Sequence, residues 1–341
     1  MSTPNLQFLD PCDAAARHAW DEAVETLPGG TVFHTTAWMD VIGKGLGLAP
    51  RFAYLPGSRG SVRALIPLFK GGWARPERWL NLPQSASAEP LAADEDAKRQ
   101  LLEALTATAH RQGVSALVMR AAHAAVPPLP AGWEARREQP MLRHVIDLGG
   151  ASGIEMLARI QRRQREKFRS TQRKLHAAGF EVRCAGPAEI RQFARDVHSI
   201  TLARHGLLAL PERFFQALLA HLPGQARLAG IGAPAGPTLA FTLTLWARDR
   251  ASFMYGSGLP TPQGADAYRV CLGTEIDAAA RAGLAQFDFH ETGQDREGLI
   301  VSKERWGAEQ IDGSYLIISR QGTDSGLRTV EIGRASCRER V

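Results

Sequence analysis

The amino-acid sequence predicts an α/β (α+β) protein of two tandem, similar domains, each built on a mixed, mainly antiparallel sheet. Three observations lead there. The chain has 341 residues, more than one hydrophobic core usually fills. Its second half reads as strand, two helices, three-strand meander, helix, strand, short helix and strand. Its first half repeats the outline of that order, which gives domains over 1–150 and 151–320.

In the first half, helical periodicity over Ala14–Thr26 and Thr36–Gly45 precedes strands at Arg51–Leu55, Val62–Phe69 and Arg78–Leu82. Helix Ala93–Gln112 and strands near Ala116–Ala121 and Leu142–Leu148 complete it. The second half opens on Ser152 and Glu155, a capping-box pattern, and a helix that Gly179 closes. Leu157, Ile160, Phe168, Leu175 and Ala178 share its apolar stripe. Strand Phe180–Ala185 and helical stretches Ala188–Ala203 and Pro211–Leu222 follow. The meander comprises Ala226–Gly232, Thr238–Ala247 and Ala251–Gly256. Its middle strand sets Leu239, Phe241, Leu243 and Leu245 against Thr238, Thr242, Thr244 and Trp246, so one face is expected in the core. Helix Ala265–Ala282 ends at Gly283, then come strand Leu284–His290, a helical turn around Trp306 and strand Ile311–Ser319.

Composition adds charge and compartment. A net charge of +6 and a pI near 9.4 favour anionic partners. The cysteines, Cys12, Cys184, Cys271 and Cys337, have neither CxxC spacing nor a neighbouring histidine, so no metal site or disulfide framework is expected. The N-terminus lacks a basic stretch leading into an apolar core, and a cytoplasmic protein is expected. The uncharged run Leu228–Ala247 is long enough for a bilayer, but Pro234, Pro237 and its glycines make it a β-hairpin, without stable membrane insertion. The last residues, Glu331–Val341 (EIGRASCRERV), read as a translated sequencing-library adapter. They are expected to pack against nothing, and the natural C-terminus is expected to be missing. There is no P-loop, no GxGxxG after a strand and no HExxH.

The most specific stretch is FDFHETGQDREGLIVSKERWGAEQ, residues 287–310, in which a strand end is followed by a loop, Lys303 and Trp306-Gly307. The order of elements resembles the GNAT acyltransferase fold, and this stretch resembles the FemAB-like acyl and aminoacyl transferases, including those associated with polysaccharide and PEP-CTERM systems. Phe287, Asp288 and Phe289 match the family's F-D-F-G strand end, with His290 where a glycine is usual. Lys303, Trp306 and Gly307 match its K-x-x-W-G element. Phe33-His34 to Trp38, the basic helix before the second domain and Tyr255-Gly256 also match, so the resemblance spans residues 30–318.

It implies two GNAT-like domains, the second carrying the active site. The implied activity is amide formation between an acyl group from acyl-CoA or aminoacyl-tRNA and an amine of a cell-envelope precursor, a peptidoglycan peptide or an amino sugar of a polysaccharide. No bound cofactor and no metal are implied. The alternative is a GNAT-like module without catalysis that binds an anionic glycan or nucleic acid, which His290 in place of glycine would favour.

Amide formation needs a neutral amine, a polarised carbonyl and a place for the leaving group. Asp288 and His290, expected on one strand face, are the candidates to hold or deprotonate the amine; alternatively, Asp288 caps the following loop and His290 is a satisfied polar residue. Lys303 is the candidate to stabilise phosphate or oxyanion charge, against a solvated lysine. Tyr255 either shapes the acceptor pocket or fills a strand position, and Trp306, grouped with the substrate-binding residues, reads chiefly as packing. Between Arg159 and Lys174 stand eight basic residues and one acid, Glu166. Arg162, Arg163 and Lys167 on that helix are the candidates for an anionic partner, either a nucleotide-linked precursor or transfer RNA, against a merely solvated face. The R/Q-x-x-G-x-G/A signature that holds acyl-CoA in ordinary GNAT enzymes is absent, with Gln263-Gly264 as its only echo.

Overall fold

The computed structural model describes residues 5–71, 77–81, 89–120, 125–138, 141–149, 160–184, 199, 203, 209–232, 238–312 and 314–323. In chain order the elements begin β1 (Gln7–Phe8), α1 (Ala14–Thr26), α2 (Thr36–Leu46), β2 (Ala53–Pro56), β3 (Val62–Ile66), β4 (Phe69–Lys70), β5 (Arg78–Leu80) and β6 (Leu91–Ala92). They continue α3 (Glu95–Arg111), β7 (Ala116–Arg120), β8 (Trp133–Glu138), β9 (Met141–Asp147), α4 (Arg162–Ala177), β10 (Glu181–Cys184) and α5 (Glu212–His221). The last are β11 (Ala226–Gly232), β12 (Thr238–Ala247), β13 (Arg250–Gly258), α6 (Pro262–Arg281), β14 (Gln286–Gly293), α7 (Glu297–Glu304), β15 (Glu309–Asp312) and β16 (Tyr315–Arg320).

Two units result, Met1–Met141 with Asp312–Val341, and Leu142–Ile311. The first holds a four-stranded sheet, β1-β2-β3-β6, and a five-stranded sheet, β4-β5-β7-β16-β8. The second holds one seven-stranded sheet, β10-β11-β12-β13-β14-β9-β15. Each unit has a short parallel register, Arg78–Leu80 with Ala116–Val118 and Arg250–Ser252 with Gln286–Asp288, joined through a long helix, α3 or α6. A parallel pair requires such a crossover, and its recurrence carries the internal repeat.

Chain order and sheet order differ at the joints. β9, from the end of the first half, lies between β14 and β15, and β16, from the end of the second, lies between β7 and β8. The units therefore divide at 141/142 and 311/312 rather than at the 150/151 and 320 that chain order suggests. The single strand expected over Ile311–Ser319 is two strands, β15 and β16, in different sheets.

Local chemistry sets the element ends. The Asp13 carboxylate accepts from the amides of Ala15 and Ala16, and that of Asp94 from Ala97, which starts α1 and α3. The capping-box pattern at Ser152 lies outside the described residues, as does the helix expected over Ala188–Ala203. Gln161 is extended and α4 begins after it, so the helix is not continuous back to Ser152. In the first unit Leu101, Leu102 and Leu105 of α3 pack with Ala64, Ile66, Leu117, Met119, Leu316 and Ile318. In the second, both faces of β12 are buried, not one. Its threonine face lies on α6: the Thr244 hydroxyl donates to Glu275 at 3.1 Å, and Arg227 pairs with Glu275 while stacking 4.0 Å from the Trp246 ring. Among the described residues no helix is long and apolar enough to cross a membrane. The segment 331–341 lies outside them.

Candidate active site

β14 concentrates the chemistry. Its pleat sends Phe287 and Phe289 into the core with Leu272, Ile276 and Trp306, their rings 5.1 Å apart, and turns Asp288 the other way. Asp288 is fully buried. A buried carboxylate requires partners, and two guanidiniums supply them. Arg143 of β9 donates through Nε at 3.1 Å and Nη2 at 2.6 Å to Asp288 Oδ2, and Arg250 Nη1 lies 3.8 Å from the same oxygen. Burial pushes the Asp288 pKa up, but Arg143, His290 and Arg250 outweigh it and hold the carboxyl at about 2. Both oxygens of this carboxylate are occupied, Oδ2 by the guanidiniums and Oδ1 by the His290 amide, an arrangement that fixes geometry.

The other Asp288 oxygen, Oδ1, accepts the backbone N–H of His290 at 2.9 Å. His290 sits at φ 59°, in the left-handed region that a residue with a Cβ occupies at a cost of about 1 kcal/mol or more. That is the conformation glycine takes most cheaply, which accounts physically for glycine at this place in the FemAB-like pattern. It also interrupts the two-residue alternation that was expected to place Asp288 and His290 on one face. His290→Gly is expected to raise the unfolding free energy by about 0.5–1 kcal/mol, read as a higher denaturant midpoint at unchanged slope. If transfer activity survives that substitution intact, the imidazole has no part in it.

The turn at His290 presents two successive carbonyls to Lys303, at the end of α7. Lys303 Nζ donates to Phe289 O at 2.8 Å and His290 O at 3.1 Å. Burial lowers its pKa to about 8, with Asp288 and Glu291 opposing. Lys303 is thus a tethered group that titrates near neutrality, not a solvated lysine. On β9, His144 is also buried, and its pKa is lowered by burial and by the charge of Lys303.

The sheet opens beside these groups. β13 and β14 share three residue pairs, ending at Ser252 with Asp288, although β13 runs on to Gly258 and β14 to Gly293. Beyond that pair, β13 carries a bulge between its pairings with Leu243 and Thr244 and β14 carries the turn at His290, irregularities of the kind that end a common register. A gap between parallel strands at their C-terminal ends is where α/β sheets hold ligands.

The remaining predicted residues divide. Tyr255 is on β13, paired with Leu243 of β12 and beyond the last pairing with β14, and its ring meets Phe215 of α5 at 6.3 Å. Trp306 is 2% exposed and edge-on to Phe168 of α4 at 6.0 Å, the packing that the sequence chiefly suggested for it. Arg162, Arg163 and Lys167 are exposed on α4, Arg162 in an ion pair with Glu166. Arg143 and Arg250 escaped sequence reading. For Arg143 the available signal was a charged residue within an apolar strand, whereas Arg250 stands just before its predicted strand and gave none.

The cradle of an ordinary acyl-CoA site is altered. At the start of α6, Pro262 has no N–H, and the Gly264 N–H is taken by the Thr261 hydroxyl at 3.0 Å. Gly258 and Gly264 are in backbone contact: a Cβ on Gly258 would lie 2.1 Å from Gly264 O. Among the described residues no cluster of three or more His, Cys, Asp or Glu could hold a metal ion.

Residues 162–297 match the family model described as acetyltransferase (GNAT) domain, which takes in α4, Tyr255, Asp288 and His290 and stops short of Lys303. No curated protein matches the chain. Among solved structures, the chain is similar to FemX at 15% identity and TM-score 0.67, over 92% of this chain and 96% of that one. It is similar to L-PGS from Bacillus licheniformis at 16% and 0.58, over 94% and 97%. A tandem GNAT protein from the clavulanic acid biosynthesis pathway gives 13% and 0.54, over 93% and 99%. These likenesses establish the fold, two GNAT-like units in tandem.

Proposed function

We propose that the second unit is a FemAB-like N-acyltransferase that forms an amide on an amine of a cell-envelope precursor, a peptidoglycan peptide or an amino sugar of a polysaccharide. The observation that carries this reading is Lys303, held on two carbonyls beside the opening between β13 and β14. An ammonium has three N–H groups, and the described residues use two of them. The third is free to donate to the oxyanion that develops when an amine attacks an acyl carbonyl.

The altered start of α6 favours aminoacyl-tRNA over acyl-CoA as donor, because two of its first-turn amides cannot receive a pyrophosphate. In that reaction the acceptor nitrogen bonds to the ester carbonyl carbon and the ester C–O bond breaks. The proton leaving the nitrogen ends on the ribose hydroxyl, so no further reactant is needed. The likeness to FemX and to the C-terminal domain of a putative lysylphosphatidylglycerol synthetase from Agrobacterium fabrum also fits aminoacyl transfer. The rival reading, a binding module without catalysis, rested on His290. Its backbone already has the shape a glycine would take, so the substitution by itself does not argue for a lost turn.

The test is incubation of the purified protein with charged tRNA or acetyl-CoA and with amine-bearing nucleotide-linked precursors, followed by mass spectrometry. Turnover with neither donor on any amine acceptor would leave only a binding module. The exposed cations of α4 belong to the donor side of this reading. Arg162, Arg163 and Lys167 replaced together by alanine should weaken tRNA binding and reduce the slope of log affinity against log salt by about 2. Anisotropy titrations across a salt series measure both, and no change in either would make that face merely solvated.

A further inference from the structure

We infer that Arg143 is a positioning residue for Lys303: through Asp288 it fixes the left-handed turn at His290 on which the lysine is seated. The inference rests on the reading of Lys303 as the group that assists transfer. Each link is a contact. Arg143 grips Asp288 Oδ2 through two nitrogens at 3.1 and 2.6 Å, charge-assisted bonds that anchor this oxygen. The opposite oxygen, Oδ1, then holds the His290 amide at 2.9 Å. That amide belongs to the residue at φ 59°, a conformation that persists only where its surroundings impose it. The carbonyls of Phe289 and His290 flank the turn, and both receive Lys303 Nζ. Arg250, at 3.8 Å, adds charge to Asp288 without a close grip.

The position of Arg143 in the chain makes this unexpected. It belongs to β9, which the first half of the chain delivers into the sheet beside β14. The lysine's seat is therefore built from three separate stretches, β9, β14 and α7. Guanidinium is suited to the task because two of its N–H groups converge on the one oxygen, whereas an ammonium makes a point contact.

The experiment follows the lysine itself. The sequence has six lysines, and isotope-labelled lysine lets their Cε resonances be titrated by NMR, with Lys303 assigned by its loss in Lys303→Arg. In the unaltered protein Lys303 should titrate near 8, in the company of Asp288 and Glu291 on β14 and His144 on β9. In Arg143→Met the seat loosens, the amine gains water and its titration should move up toward the ordinary lysine range. Turnover should fall about tenfold or more with KM little changed. The same substitution on an Asp288→Asn background should add little to either effect, since the link runs through the carboxylate.

An equal shift on both backgrounds would mean a through-space charge effect and overturn the inference, as would unaltered titration and turnover in folded Arg143→Met. Should that variant fail to fold, Arg143→Lys keeps the charge and loses the fork. Intermediate values there support the inference, and wild-type values overturn it. If the unaltered protein transfers no acyl group, the proposed function fails on its own, and the titrations still decide the role of Arg143.

Discussion

Lys303→Ala is expected to lower the turnover of acyl transfer by about a hundredfold or more, the usual scale for losing one preorganised donor to a developing oxyanion. The expectation follows from the tether. Two hydrogen bonds, at 2.8 and 3.1 Å, fix Nζ before any substrate arrives, so nothing is spent ordering it during reaction. Lys303→Arg should keep partial activity, because its charge remains while its planar fork cannot reproduce the seat on two adjacent carbonyls. The pH profile separates the two forms of the amine. With Lys303 held at about 8 by burial, a working ammonium requires turnover to fall as pH rises through that value. A rise through the same value would make the neutral amine a base and end the oxyanion assignment. Stability has its own sign. The folded pKa is lowered, so the unfolded chain binds the proton more tightly, and this lysine's contribution makes the fold more stable as pH rises from about 8 to its ordinary 10.5. Near-wild-type turnover in Lys303→Ala would remove Lys303 from the mechanism.

What could be read from the sequence follows from how local its causes are. α1 spans the predicted Ala14–Thr26 because Asp13, immediately before it, caps it, and β11 and β12 match their predicted bounds because the strands they pair with are close in sequence. Pro67 falls where a longer predicted strand divides. The exchange of β9 and β16 was invisible, since it depends on sheet partners far along the chain. Lys303 was legible as part of a spaced pattern, but its partners are backbone carbonyls, which carry no residue code. The Arg143–Asp288 pair is 145 residues apart, and nothing local at either end points to the other. His290 was conspicuous only as a departure from a glycine, and its left-handed backbone explains both the usual glycine and the tolerance of a histidine. The motif at 287–307 thus marks the place of the site, while most of the groups that hold it together come from other strands.

Trp306→Ala should destabilise the second unit by about 3–5 kcal/mol, the scale for emptying a buried aromatic site. Trp306 is 2% exposed and packs edge-on to Phe168, with Leu272, Ile276, Phe287 and Phe289 in the same cluster. The site has no slack to close the hole, because Gly273 of α6 already lets both rings approach so closely that a Cβ there would lie 2.5 Å from Phe168 and 2.8 Å from Trp306. Gly307, at φ 83°, turns the chain immediately after the tryptophan, and the Trp306 and Ala308 amides both bond to Lys303 O at 3.0 and 3.4 Å. Lysine, tryptophan and glycine in the K-x-x-W-G element are therefore one device: the glycine makes the turn, the tryptophan anchors it and the lysine projects from it to the turn in the middle of β14. Two outcomes distinguish this from a substrate contact. Trp306→Phe, which keeps much of the buried area, should recover most of the lost stability and carry near-normal KM, as measured by chemical denaturation and by kinetics at a temperature where both proteins are folded. A Trp306→Ala protein with an unchanged denaturation midpoint and a raised KM would instead put the indole in the substrate pocket.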